Sequence, residues 1–482
     1  MGQNNMKRGL NSRHISMIAI GGAIGTGLFV ATGNVVSQAG PGGAILAYLI
    51  IGVMLYFLMS SIGELATFYP VSGSFSSYAT RFVDSSLGFT MGWLYWVMWV
   101  LVTSVDIIIA SSVLDYWEVF HFFSPVTWSI LFLCLLFVLN IFTVKAFGET
   151  EFWLSLIKVL TIIIFIVIGV LTIFGILGGK YYGFEHYTTG EAPFVGGVSG
   201  FLAVLLIAGF SVGGTEMVAV TAGESSNPHK SMPKAIRQVF WRILLFYVLS
   251  IAVIAAIIPY SDPLLLNKHE SVTQSPFTIV FDRVGIAFAA SVINAVILTS
   301  LLSAANSGIY TTSRMLFSMA EDKQAPKIFA KLNKTTKLPI LSICTTFVIV
   351  LIIIILAQFK SDIVFSLLNI IGSLVIVVWA SSILAQIRLR SAIKKQNKLA
   401  DDVLPYKAAL YPLGPIIVIM ALLFLFVGNS FGALMAGDYG SVIRNIAPII
   451  ILAIVYLTHK LIRKTKIVKL ENIELNISKN NQ

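Results

Sequence analysis

The sequence predicts an all-α integral membrane protein of twelve transmembrane helices, arranged as two inverted five-helix repeats plus two C-terminal helices, with helices 1 and 6 broken. Three observations predict it. Hydrophobic residues make up 57% of the 482-residue chain and charged residues 11%, with a mean hydropathy of +0.88, whereas a water-soluble domain carries about a quarter charged residues. Apolar runs approaching the ~20 residues that cross a bilayer recur from end to end. Glycine–threonine interruptions fall in the first run and in the sixth, and corresponding interruptions in two halves of a chain point to inverted repeats around a midplane site.

The elements follow in order. A basic segment, residues 1–14, is expected on the cytoplasmic side. Spans at about 15–38, 41–67, 87–113, 125–147 and 152–177 form the first repeat, residues 15–177. The first run has no A-x-A-like cleavage site and leads directly into the second, so it reads as a retained span. Residues 68–86, FYPVSGSFSSYATRFVDSS, read as an inner re-entrant or surface helix. Spans at about 194–222, 240–260, 277–305, 339–357 and 361–387 form the second repeat, residues 194–387. Spans at about 411–430 and 443–461 make the appended pair, residues 411–461, and a polar tail, 462–482, reads as loosely ordered and cytoplasmic.

Orientation follows from the basic residues. With the N-terminus inside, most of the 33 lysines and arginines fall in inner loops and tails. They include Arg242 after span six and Arg314 after span eight. Lys180, Lys268, Arg283, Lys360 and Arg444 fall outside, and Lys158 lies within a span. The net charge of +11 is thereby placed against a membrane surface and not against nucleic acid. Cys134 and Cys344 sit in apolar runs and read as small buried hydrophobes. Six scattered histidines form no ligand cluster, so no metal or cofactor is expected. GGAIGTG has no flanking strand and no G-K-[ST] ending, which argues against a nucleotide loop and an enzyme. No filter-like repeat supports a channel.

Residues 21–29 read GGAIGTGLF. A glycine packing face is one reading. The other is a discontinuous helix whose freed N–H groups at Gly25, Thr26 and Gly27 meet an anion, since unpaired backbone at membrane depth survives only against protein, water or ligand. Span six carries Gly213-Gly214-Thr215-Glu216 at its own interruption.

Intramembrane charges are costly and mark cavities or partners. Lys158 either snorkels to the inner surface or holds the first break, where it would gain and lose a proton. Glu216 caps its unwound segment, serves on the proton path or against a cationic substrate side chain, or combines these roles. Asp106, deep in span three, faces a substrate ammonium or bonds a neighbouring helix. Glu64 reads as structural, and Glu224 as a helix cap or inner gate. Lys158, Glu216 and Glu224 are the proton-coupling candidates. Phe210 before the second break is a candidate thin gate. Asn294, Ser303 and Asn306 line a cavity or bond between helices.

These segments carry a resemblance. GGAIGTGLF, GPGGAILAY (40–48), GELATFYPVSGSF (63–75), KAFGETEFWLSLIKV (145–159), FSVGGTEMVAVTAGESSNP (210–228), SMPKAIRQVFWRILLFY (231–247) and NSGIYTTSRMLFSMA (306–320) occur in order over about residues 7–465. On them the chain resembles the amino acid permeases of the amino acid–polyamine–organocation (APC) superfamily, in its bacterial and fungal amino acid transporter branch. With TSVDIII around Asp106, IIPYSDPLLL (257–266) and SPFTIVF (275–281), it is most similar there to the bacterial lysine-specific permeases. It departs from them at Val212–Gly213 and in the aromatic stretch before Asp106.

The resemblance implies a LeuT-like fold of inverted repeats, alternating access, and import of an L-amino acid with protons across the cell membrane. Lysine is favoured. A histidine, arginine or neutral/aromatic amino acid permease, or an exchanger, are the alternatives. It implies that Thr26 and Gly27, with Gly25 and Ala23, hold the substrate carboxylate. The carbonyls of Phe210, Ser211 and Gly213 would hold the α-ammonium. Lys158 would stand where sodium-driven relatives bind sodium.

Overall fold

The computed structural model describes residues 10–22, 24–142, 144–266, 275–285, 287–359, 363–435, 437 and 439–475. The helices in order are α1 (Ser12–Met17), α2 (Thr26–Phe29), α3 (Ala31–Phe68), α4 (Ser74–Phe82), α5 (Ser85–Val113), α6 (Pro125–Asn140), α7 (Val144–Ile173), α8 (Gly197–Ser211), α9 (Val218–Thr221) and α10 (Pro228–Arg242). They continue with α11 (Leu249–Ile257), α12 (Pro263–Leu266), α13 (Pro276–Arg283), α14 (Ala287–Glu321), α15 (Ile340–Ala357), α16 (Ile363–Lys395), α17 (Ala400–Val403), α18 (Leu413–Met435) and α19 (Tyr439–Arg463). Among the described residues, eight helices are long and apolar enough to cross a membrane, and Pro125–Asn140, Gly197–Gly209 and Leu413–Gly428 are shorter apolar helices. Helix suits this environment because every backbone polar group is satisfied within its own segment.

Local chemistry sets the helix starts. Asp84 accepts the Leu87 N–H at 2.7 Å to open α5. Ser124, Asn227 and Ser275 cap α6, α10 and α13, each followed by a proline in the first turn, where the missing N–H costs nothing. Gly40, at φ +72°, divides α3 where the first and second spans were expected to meet. A positive φ of this size is open to glycine at little cost.

Within the bundle α5 packs along α14, and α3 along α8. Glu64 of α3 is fully buried and clamps this frame. It accepts from Arg390 Nε and Nη2 at 2.8 and 2.6 Å, from Gln386 Nε2 at 2.9 Å and from the Ala408 N–H at 2.7 Å. Its structural reading follows from those four bonds. The segment between spans two and three contains the short helix α4, packed on α5 and α16.

Two expectations are corrected. Cys134 is exposed and Cys344 partly so, both as free thiols. A membrane protein presents apolar side chains outward, so an apolar run does not imply an inward cysteine. The tail also differs from a loosely ordered segment over residues 465–475. Ile473 and Leu475 are buried in a cluster with Leu65, Phe68, Phe82 and Ile393. The Val468 N–H donates to Val83 O at 2.8 Å, and Gln396 Nε2 to Leu470 O and Ile473 O at 3.0 and 2.8 Å. The polar composition hid four apolar anchors, Val468, Leu470, Ile473 and Leu475, which carry the tail across the ends of α4 and α16. Burying one such side chain contributes about 1.5–3 kcal/mol. Deleting the chain from Thr465 onward is therefore expected to lower the thermal unfolding midpoint in detergent. An unchanged midpoint would show that the strap adds nothing.

Candidate substrate site

Both interrupted segments are visible in the backbone. The first helical run passes from α1 into a π-helical turn, Ile18–Gly22, and restarts at Thr26. Gly25 has φ −152° and ψ −135°, outside the helical region. The second run ends at Ser211, turns through Val212–Gly214 with Gly214 at φ +86°, and resumes as a 3-10 turn at Thr215–Met217. The breaks lie against each other. A Cβ on Gly27 would stand 2.4 Å from Ser211 Cα and 2.6 Å from its carbonyl oxygen.

A cavity of about 50 Å³ opens where they meet, room for only a few waters at roughly 10–15 Å³ each. Gly25, Thr26 and Gly27 line it from the first break and Ser211, Gly213 and Gly214 from the second. Met98, Trp99, Val102 and Asp106, at helical spacing on one face of α5, form a third wall. Ala304 of α14 and Ile371 and Val375 of α16 complete it. Asp106 supplies the one carboxylate among these lining residues. Its Oδ1 accepts from Thr26 Oγ1 at 2.7 Å, at the start of α2. Ser211 is held from both sides: Tyr48 OH donates to its Oγ at 2.9 Å and Tyr247 OH to its carbonyl at 2.8 Å.

The proposed site residues are thus partly brought together. Gly25, Thr26, Gly27, Asp106, Ser211 and Gly213 share one cavity. Ala23 lies outside the described residues, as does the side chain of Phe210. Glu216 is buried but does not line the cavity. Its Oε2 accepts from the Gly214 N–H at 3.0 Å and from Trp379 Nε1 at 3.5 Å. It therefore caps its own unwound segment.

Lys158 is 1% exposed. Its Nζ donates to Gly21 O and Ile24 O, both at 3.0 Å, so it does not snorkel. Carbonyls at the end of a helical segment carry partial negative charge, which the ammonium meets, and Gly21 O also accepts the Ile24 N–H at 3.0 Å. Close approach makes this reach possible, since a Cβ on Gly21 would fall 2.4 Å from Ser155 Cβ on α7.

Two arginines counted with the inner loops are buried instead, each 2% exposed. Arg314 Nε donates to Glu224 Oε1 at 2.9 Å, with its guanidinium 4.0 Å from the Tyr310 ring centroid. Glu224 is therefore ion-paired, while Asn227 caps the following helix. Its backbone also receives the Leu10 N–H at 3.2 Å, pinning the N-terminal segment there. Arg242 Nη1 donates to Ala19 O at 2.8 Å, a second cation on the π-helical turn. Both lie inside long helical stretches, Pro228–Ile257 and Ala287–Glu321, whereas charge counting sees only position along the chain.

Three further groups were missed by the sequence reading. Trp99, on the α5 wall, has an indole N–H with no hydrogen-bond partner among the described residues. Arg242 is the second. Glu151 is the third, fully buried and accepting from Ser303 Oγ at 2.7 Å. Its spacing of seven residues from Lys158 was the available signal. Asn306 accepts from Asn140 Nδ2 at 2.6 Å, and Asn294 accepts from Thr278 Oγ1 at 3.3 Å. Both asparagines thus make side-chain bonds to other helices.

Residues 14–472 match the family described as amino acid permease. The chain belongs to that family. This permease is 45% identical over 478 residues to histidine permease HisP of Lactococcus lactis subsp. cremoris, covering 99% of both chains. It is also 45% identical over 469 residues to lysine-specific permease LysP of Escherichia coli K12, covering 96% of this chain and 95% of the relative. A lysine-specific permease LysP from the same Lactococcus strain is 43% identical over 481 residues. The permease is accordingly a multi-pass membrane transporter of amino acids and not an enzyme.

Proposed function

We propose that this permease imports a basic L-amino acid, lysine first, together with protons, by alternating access across the cell membrane. The observation that carries the preference for a cation is Asp106, a carboxylate set into a cavity whose other side-chain walls are largely apolar. Met98, Trp99, Val102, Ile371 and Val375 suit an aliphatic stem, and Asp106 suits a positive group. In this reading the N–H groups of Thr26 and Gly27, with Gly25 and Ala23, receive the substrate carboxylate. The carbonyls of Phe210, Ser211 and Gly213 receive the α-ammonium. Asp106 holds Thr26 until substrate takes its place, and the walls part to admit it.

The architecture belonging to this reading has twelve spans. Residues 15–177 and 194–387 form inverted repeats, with 411–461 appended and both termini cytoplasmic. The basic loops support that orientation. Lys158 binds and releases the coupling proton beside the first break, while Glu216 and Glu224 respond on the second segment. Phe210 covers the substrate.

Histidine is the second reading, favoured by the equal identity to a histidine permease. Competition uptake into liposomes with all twenty amino acids, with and without a proton gradient, decides between them. Lysine outcompeting histidine, with accumulation only under the gradient, is the expected result. Equal uptake without a gradient would reject proton coupling. Asp106→Asn is expected to weaken a cationic substrate more than a neutral one, by about tenfold or more, as for a lost charge-assisted bond. Equal losses for both in the same competition assay would remove Asp106 from recognition.

A further inference from the structure

Glu151, Ser155 and Lys158 stand at i, i+4 and i+7 on α7, so one face of that helix carries all three. That helix packs on α14. There Ser303, Ser307, Tyr310, Thr311 and Arg314 repeat at helical spacing. All eight side chains are buried. Ser303 Oγ ties the two faces together through its 2.7 Å bond to Glu151 Oε1. Asn306 and Ser307 sit beside the same carboxylate.

Among the described residues, Ser155 Oγ and Thr311 Oγ1 find no hydrogen-bond partner, and Glu151 Oε2 and Ser307 Oγ, although neighbours, make no hydrogen bond of normal geometry. One orphan is an imperfection. Four along one seam are a polar file, because buried groups of this kind take ordered water as their partner. The file starts at Lys158 and runs toward the end of the bundle where the N-terminal segment docks. There the Phe147 and Tyr310 rings stack at 4.2 Å with 5° between their planes, next to the Glu224–Arg314 pair.

We propose that Glu151 is a second proton-carrying site of this permease, taking the coupling proton as it leaves Lys158 and passing it along the seam between α7 and α14. Lys158 loses one N–H proton and becomes a neutral amine. The Glu151 carboxylate gains that proton as O–H, relayed by Ser155 or a bridging water. The acid returns it to the cytoplasmic side once Phe147 and Tyr310 separate. No electron transfer is involved. The charged and titratable groups along this seam are Lys158 and Glu149 on α7, His14 on α1, Tyr310 and Arg314 on α14, and Glu224, and Asp106 and Arg242 face Lys158 in turn. Lys158 acts on Glu151 directly, whereas Glu149 is engaged by His14 at 3.1 Å and Glu224 by Arg314 at 2.9 Å.

The inference rests on the proton-import reading, and its test separates the two. Purified wild type, Glu151→Gln and Glu151→Asp are reconstituted in proteoliposomes. Labelled lysine, and histidine in parallel, is followed in two assays: accumulation driven by a pH gradient, and counterflow against internal unlabelled substrate without a gradient. Counterflow needs loading and reorientation but no net proton release. Glu151→Gln is expected to keep counterflow within about twofold of wild type and to lose gradient-driven accumulation at least about tenfold, as for a deleted proton carrier. Glu151→Asp is expected to recover part of it. Wild-type accumulation by Glu151→Gln overturns the proposal. Equal loss of counterflow and accumulation in Glu151→Gln overturns it as well, since the residue would then only hold the helices together. A wild type that accumulates neither substrate overturns the import reading and this inference together, before any variant is compared.

Discussion

Lys158→Ala is expected to abolish accumulation driven by a proton gradient. The ammonium is the hydrogen-bond donor for two carbonyls, Gly21 O and Ile24 O, at the end of the first helical segment. Removing it takes that donor from Ile24 O in a buried place, at about 1–3 kcal/mol for an unsatisfied group, while Gly21 O keeps the Ile24 N–H at 3.0 Å. It also removes the group that binds and releases the proton in the proposed cycle. Lys158→Arg separates these effects. A guanidinium can donate to the same carbonyls but does not deprotonate in proteins. The arginine variant is therefore expected to keep substrate binding and counterflow while losing accumulation against a gradient. Concentrative uptake at the wild-type level by Lys158→Ala, measured in vesicles under a pH gradient, would remove Lys158 from the mechanism.

Gly27→Val is expected to eliminate substrate binding. The first Cβ placed there would lie 2.4 Å from Ser211 Cα and 2.8 Å from its carbonyl carbon. These are backbone atoms, so no side-chain rotation relieves the clash. Overpacking a core typically costs about 1–3 kcal/mol, and a clash between two main chains belongs at or above the top of that range. The two breaks must then move apart, and with them Thr26 and Gly213, which share the cavity. Gly27→Ala is expected to show the same defect in weaker form. Equilibrium binding of labelled lysine to purified variants checks both, and unchanged affinity for Gly27→Val would rule out close apposition of the breaks.

Much of the helical layout was legible. The apolar runs and their punctuation anticipated α5 at 85–113 and α15 at 340–357 to within two residues, because hydropathy and turn chemistry act over a few neighbours. The glycine–threonine pairs located both interruptions, since a helix weakens where backbone freedom is greatest. The site was legible in part. Asp106 was singled out by its depth in an apolar run, and it lines the cavity. Glu216 was singled out by the same argument and lies elsewhere, capping Gly214. An ionisable residue in a span announces that it needs a partner, without saying which.

The sequence alone determined the helical membrane character, the positions of the two breaks and the presence of ionisable residues within apolar runs. These are properties of composition and of contacts within a few residues along the chain. Only the tertiary structure decided that Lys158 reaches Gly21 and Ile24, that Arg242 reaches Ala19, and that Glu151 meets Ser303. The same holds for the tail, which lies across α4 and α16. Each of those pairings joins groups distant in the chain. Their geometry depends on how helices rotate and pack against one another, and a local pattern of apolar and polar residues carries no record of that rotation.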